Sequence, residues 1–220
     1  MTVIGRHAAF VSIGLSCQTS FQLRRHAPLL RSLLDDELKV VRSPFDWMIT
    51  PLASSSAMIT AGEFFPRSIS ELDWCCHPYW PRYDCFFWHD DDVFDNPGKF
   101  VGRFTSSSAN LERLSGVSRR VFIVSNCQNS LPHLASSVGG MDIRFTDSGV
   151  EALQTAIEGQ WGPSELYLLG YPWMNDCTNK SGFAALTPDN TAWRGNDQQW
   201  RDILGAVATG AMAPYERRHR

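Results

Sequence analysis

Short, unbroken apolar runs alternate with segments of helical period along much of the chain. Residues 8–14, AAFVSIG, are the first such run and read as a buried strand. Ser16 stands where a cap is expected, and CQTSFQLRRH, residues 17–26, reads as a helix. VVRSPFDWMITP, residues 40–51, is interrupted by Pro44 and ends on Pro51, so it reads as a loop or a short extended piece. Thr50 as cap, Pro51 at the first helical position and Gly62 as terminator bracket the next helix. From Lys99 onward Phe100, Phe104, Leu111 and Leu114 recur near a helical period.

The second half is the most regular. RRVFIVSN (119–126) predicts a strand and LPHLASSVGG (131–140) a short helix ending in glycine. MDIRFTD (141–147) predicts a strand, GVEALQTAIEGQ (149–160) a helix and SELYLLGYP (164–172) a strand. Residues 171–196 read as a long polar loop, and DQQWRDILGAVA (197–208) as a closing helix. Alternation of apolar strands with helices predicts an α/β fold: one three-layer domain over residues 1–212, with a mainly parallel central sheet. Residues 63–98 depart from that pattern. They are dense in aromatic residues, Cys, His and Asp, and read as an irregular insertion over the active edge, with one strand at YDCFFWH (83–89). Residues 213–220 read as a basic, flexible tail.

Composition narrows the function classes. The formal net charge is −3 and charged residues make up 20%, which argues against a nucleic-acid binder. No apolar run is long enough to span a membrane, and the N-terminal apolar stretch is broken by Arg6, His7 and Gly14, unlike an export signal. The expectation is a cytoplasmic protein whose six cysteines are reduced thiols.

Cys17 is the residue on which chemistry turns. A cysteine after a strand and in the first turn of a helix sits at the edge where open α/β sheets collect ligands. Free N–H groups and the helix dipole there favour a thiolate, and the same N–H groups, at Cys17 and Gln18, would hold an oxyanion. The arrangement is similar to a nucleophile elbow with Cys in place of Ser. A thiol nucleophile calls for a base. His89 follows an apolar run and precedes Asp90 and Asp91, which offers an imidazole with an orienting carboxylate; His133 is the other histidine near the same edge. Asp46, hemmed in by Pro44, Phe45 and Trp47, is a second carboxylate that must be hydrogen-bonded or strained.

These residues together carry a resemblance. SIGLSCQTSFQLRR followed by RSPFDWMIT, a His-Asp pair and the basic-aromatic GKFVGRF resembles a largely uncharacterised bacterial family named for papain-like cysteine peptidases. Its hallmarks are a Gly-x-x-Cys strand-to-helix turn, a Pro-Phe-Asp-Trp motif and a downstream His-Asp. Gly14, Cys17, Pro44, Phe45, Asp46, Trp47, His89 and Asp90 fall at those positions, and TAWRGNDQQWRDIL is similar to the family's C-terminal end. The resemblance implies a thiol hydrolase or acyl transferase of peptidase type. In it Cys17 attacks, His89 takes the proton, and Asp90 or Asp46 orients the imidazole. Papain's glutamine, a few residues before its cysteine, has no counterpart here, where Val11 and Ser12 stand.

Competing chemistries fit less well. A cysteine phosphatase needs Arg where Leu23 stands, with Arg24 one place late. Cys75, Cys76, His77, Cys85 and His89 are dense enough to suggest zinc, but adjacent cysteines do not make a paired ligand array, so neither metal nor cofactor is expected. The non-enzyme alternative is a glycan- or peptide-binding module using the aromatic insertion. On that alternative Trp74, Trp80, Trp88, Tyr79 and Tyr83 form the stacking surface; Trp47, Trp80 and Trp88 are the substrate-binding candidates, whether the substrate is a peptide, an acyl group or a glycan.

Overall fold

A computed structural model describes residues 7–34, 38–129, 131–137, 140–189 and 193–217. The protein is α/β. Its main sheet has five strands: β1 (Ala8–Ser12), β2 (Leu38–Val41), β7 (Arg119–Ser125), β8 (Glu165–Gly170) and β9 (Phe183–Ala185). Their order is β2-β1-β7-β8-β9, and every neighbouring pair is parallel. β1 is buried along its whole length and pairs on both sides, which is why its sequence is an unbroken apolar run rather than an alternating one.

Alternate residues of β1 face two cores. Ala9 and Val11 join one cluster, and Ala8 and Phe10 the other. Helices α3 (Leu52–Ala61), α4 (Pro97–Glu112) and α6 (Asp147–Trp161) bury Met58, Phe104 and Leu153 on the first face. Helices α1 (Gln18–Arg25), α2 (Ala27–Leu33) and α7 (Asp197–Thr209) bury Leu23, Leu30 and Leu204 on the second. A seventh helix, α5 (Leu131–Ser137), follows β7. No helix among the described residues is long and apolar enough to cross a membrane.

The aromatic insertion is more ordered than its sequence suggests. β3 (Met48–Ile49), β4 (Asp73–Trp74), β5 (Pro78–Trp80) and β6 (Cys85–Phe87) form a small antiparallel sheet in the order β3-β6-β5-β4. Phe87 meets the rings of Phe100 and Phe104 on α4 at 4.9 and 5.1 Å, both edge-on. The sheet is fastened to the carboxyl edge of β1 where the Leu15 N–H donates to the Thr50 carbonyl at 3.0 Å.

Several sequence expectations need correction. Residues 141–147 are not a strand. Met141, Ile143 and Phe145 do alternate inward, but β7 already pairs with β1 and β8, so the segment runs as an extended connector. Its groups are taken by side chains: Asn126 donates to the Ile143 carbonyl, and the Phe145 N–H donates to Asn175. The polar loop 171–196 contains β9, and α2 and β2 occupy ground that carried no clear pattern. The position before α1 is held by Cys17, not Ser16, and no side chain caps that helix. Residues 213–217 are not a free tail: Tyr215 is buried and its N–H donates to the Leu166 carbonyl at 2.9 Å, while Arg217 pairs with Glu158. Residues 218–220, His219 among them, lie outside the described residues.

Candidate functional site

In a parallel sheet of this order the direction of winding reverses between β1 and β7, and a crevice opens beyond the carboxyl ends of those strands. The chain leaving β1 turns there through two successive left-handed residues, Gly14 at φ 56° and Leu15 at φ 58°. Gly14 has no room for a side chain: a Cβ would lie 2.5 Å from Ser55 Oγ and 2.7 Å from Thr50 Oγ1. Leu15 is a fully buried residue in a conformation that costs about 1 kcal/mol or more. Cys17 itself has helical φ and ψ, so the strain lies two residues before the cysteine rather than on it as in a nucleophile elbow.

Cys17 projects from the start of α1 and meets the segment leaving β7. Its Sγ lies 3.9 Å from Gln128 Oε1, the two residues coming from opposite sides of the crevice. Their neighbours lock that alignment. Thr19 Oγ1 and Ser125 Oγ are 2.8 Å apart. Cys127 Sγ donates to Gln18 Oε1, and Gln18 Nε2 donates to the Trp193 carbonyl at 2.7 Å. Gln22 Nε2 reaches the Arg194 carbonyl at 2.6 Å, so residues 193–194 are strapped across α1. The Gln18 side chain is therefore a buried brace, while its N–H belongs to the uncapped first turn of α1.

Asp46 stands against the face of α1 that carries Cys17, Ser20 and Arg24, residues spaced to lie one above another. The Pro-Phe-Asp-Trp stretch forms a tight helical turn, Pro44–Trp47. Ser43 ties that turn to the end of β1 by donating to the Ser12 carbonyl at 2.9 Å, and its hydroxyl is also 3.3 Å from Asp46 Oδ1. Arg24 Nη1 is 3.2 Å from Asp46 Oδ2. Burial pushes the Asp46 carboxyl up to about 6, against the pull of Arg24, Ser20 and Ser43. The thiol of Cys17 is also raised: burial outweighs its own backbone hydrogen bond and the Arg24 charge, and Asp46 adds to the rise. The helix start thus does not lower the thiol below its ordinary value, where the sequence predicts a thiolate favoured by the dipole.

The structure does not bring His89 to Cys17. Its imidazole packs edge-on against Trp47 with ring centres 6.0 Å apart, and partial desolvation and the Arg103 charge push it below its ordinary pKa. Asp90 is buried and paired with Arg103, whose guanidinium also lies 4.8 Å over the Trp47 ring, so it does not orient His89. The histidine–carboxylate pair of the insertion is a different one, His77 Nδ1 to Asp91 Oδ1 at 2.6 Å, with Trp88 packed on the His77 ring. His133 is exposed on α5. Trp80 is 2% exposed and packs against Tyr83 and Phe87, so it is a core residue and not a substrate contact; Trp47 and Trp88 are half-buried.

All six cysteines are free. Cys85 is buried in β6 while Cys75 and Cys76 are exposed, and among the described residues no group of three or more His, Cys, Asp or Glu is placed to hold a metal.

Sequence reasoning misses Gln128, Ser20, Ser43 and Arg24 as parts of this site. Gln128 carries one usable signal: it follows a buried strand whose apolar run is plain in the sequence. No family model, no curated protein and no solved structure matches the chain.

Proposed function

We propose that the protein is a thiol hydrolase or acyl transferase acting through Cys17. The observation that carries this reading is the meeting of Cys17 Sγ with Gln128 at 3.9 Å, over the uncapped start of α1, at the point where the sheet reverses its winding. Sγ attacks an acyl carbon and forms a thioester as the bond to the leaving group breaks. The proton passes from Sγ to the Asp46 carboxylate and then to the leaving group. Water, or a second acceptor, next takes the acyl group and restores the thiol. The first-turn N–H groups of α1 and the Gln128 amide face the developing oxyanion. Asp46 replaces His89 as proton acceptor because it stands on the Cys17 face of α1 and is electrically coupled to the thiol. A peptide bond is the target implied by the family resemblance.

The test uses p-nitrophenyl acetate as acyl donor, with acetylated cysteines located by mass spectrometry. Acetylation of Cys17 is expected, with a rate that climbs as pH rises through about 6 and falls at least tenfold in Asp46→Asn. Labelling confined to the exposed Cys75 and Cys76, or a Cys17 rate indifferent to Asp46, overturns the reading.

The second reading, a binding module for glycans or peptides, draws on Trp74 and Phe94. Trp74 on β4 and Phe94 in the turn that follows β6 are both exposed, with ring centres 6.1 Å apart. On that reading Cys17→Ser leaves function intact.

A further inference from the structure

A second site lies away from Cys17, along the edge of the sheet. A cleft of about 470 Å³ runs between β2 and the carboxyl end of α4, lined by Lys39, Arg42, Asn110, Arg113 and an apolar floor that includes Val41 and Val117. A second cleft of about 320 Å³ continues it along α4, sharing Arg42 and Asn110 and ending at Trp47 and Arg103. Arg103, Ser107 and Asn110 share one face of α4 and Arg113 follows directly after its last turn, which makes the groove roughly 15 Å long at the helical rise.

The charged side chains in this groove are cations. Lys39, Arg42, Arg103 and Arg113 line it, Arg103 with its charge met by the buried Asp90 behind it, and among the described residues no carboxylate lines the groove. Elsewhere the cations are largely compensated: Arg25 by Asp197, Arg67 and Arg82 by Glu63, Arg119 by Glu165, Arg144 by Asp142, Lys180 by Asp147. Among the described residues Lys39, Arg42 and Arg113 have no such carboxylate partner; Arg113 reaches only the amide oxygen of Asn110. Glu112, beside Arg113 in sequence, lines the cleft on another side of α4 with Glu63 and Arg67. A chain of net charge −3 thus sets three cations without a described carboxylate partner, Lys39, Arg42 and Arg113, around one cleft. A cleft lined by one sign of charge focuses its field and draws in the opposite ion.

We infer that this groove binds a small phosphorylated ligand with an apolar or aromatic body, of nucleotide or sugar-phosphate size. Lys39, Arg42 and Arg113 take the phosphate oxygens, where arginine's planar fork gives paired hydrogen bonds. Val41 and Val117 receive the body of the ligand, and the volume is in the range of small-molecule sites.

Isothermal titration of the full chain with ADP, pyrophosphate and adenosine tests this. ADP is expected to bind at one site per chain, more tightly than pyrophosphate, with adenosine undetectable. The double variant Arg42→Ala, Arg113→Ala changes only exposed side chains, so it keeps the fold while weakening ADP at least tenfold. Arg201→Ala, an exposed cation on α7, leaves binding unchanged. No saturable heat with ADP, pyrophosphate binding as tightly as ADP, or equal weakening by Arg201→Ala overturns the inference.

Discussion

Replacing Asp46 by asparagine keeps the shape of the side chain and removes its charge, and the structure sets the size and sign of the result. Burial raises the carboxyl from an ordinary 3.8 to about 6, although Arg24 stands 3.2 Å away and Ser43 3.3 Å away. The folded value lies above the unfolded one. The contribution to stability is therefore fully present below the unfolded value and is lost as pH rises through the folded one. A displacement of about two pH units corresponds to about 3 kcal/mol, of which roughly 2 kcal/mol falls between about pH 4 and pH 7. Asparagine has no such dependence. Urea unfolding of both proteins at several pH values across that interval, followed by tryptophan fluorescence, should show the asparagine variant gaining about 2 kcal/mol on the wild type as pH rises. Parallel profiles would mean that the carboxylate ionises without penalty. An opposite slope would mean that Arg24 holds it ionised. Either result refutes the account of a carboxyl poised near neutrality beside Cys17.

Other expectations follow from single contacts. Gly14→Ala forces a Cβ into Ser55 and Thr50 at a left-handed position and should cost about 2 kcal/mol or more, read as a drop in Tm. Phe87→Ala empties the junction between the small sheet and α4 and should cost about 3–5 kcal/mol, whereas exposed Trp74→Ala should stay within about 0.5 kcal/mol by urea unfolding. With iodoacetamide at mildly alkaline pH, Cys75 and Cys76 should be modified ahead of Cys17, whose thiol burial holds up, while Cys85 and Cys127 resist; peptide mapping across pH checks the order.

Whatever depends on short-range pattern is legible in the sequence. The runs at 8–14, 119–126 and 164–172 become β1, β7 and β8, and the glycine at 62 does end α3 in a left-handed cap. The same short-range logic sets Cys17 at the carboxyl edge of β1, where the fold also has it. Pattern fails where the outcome depends on competition for partners. Met141, Ile143 and Phe145 have a strand's alternation, but both edges of β7 are taken. β4 and β5 are two or three residues long, too short to leave a period, and become strands only because β6 offers an edge. The candidate base rests on neighbours in sequence, His89 beside Asp90. The fold instead gives Asp90 to Arg103 and His89 to Trp47, and sets against α1 a carboxylate from a different loop.

The pairing of β1 with β7 has a further consequence, in time rather than in space. Ala8 lies beside Arg119, and Cys17 meets Gln128 across a separation of 111 residues. A chain emerging from the ribosome has made β1, the strained turn and α1 long before their partners exist. The first half therefore waits with an apolar strand unpaired on one side, and closing so long a loop is slow. The crevice around Cys17 cannot exist in the nascent first half. Any chemistry that needs both walls is withheld until β7 has been synthesised and docked, so folding itself switches the site on.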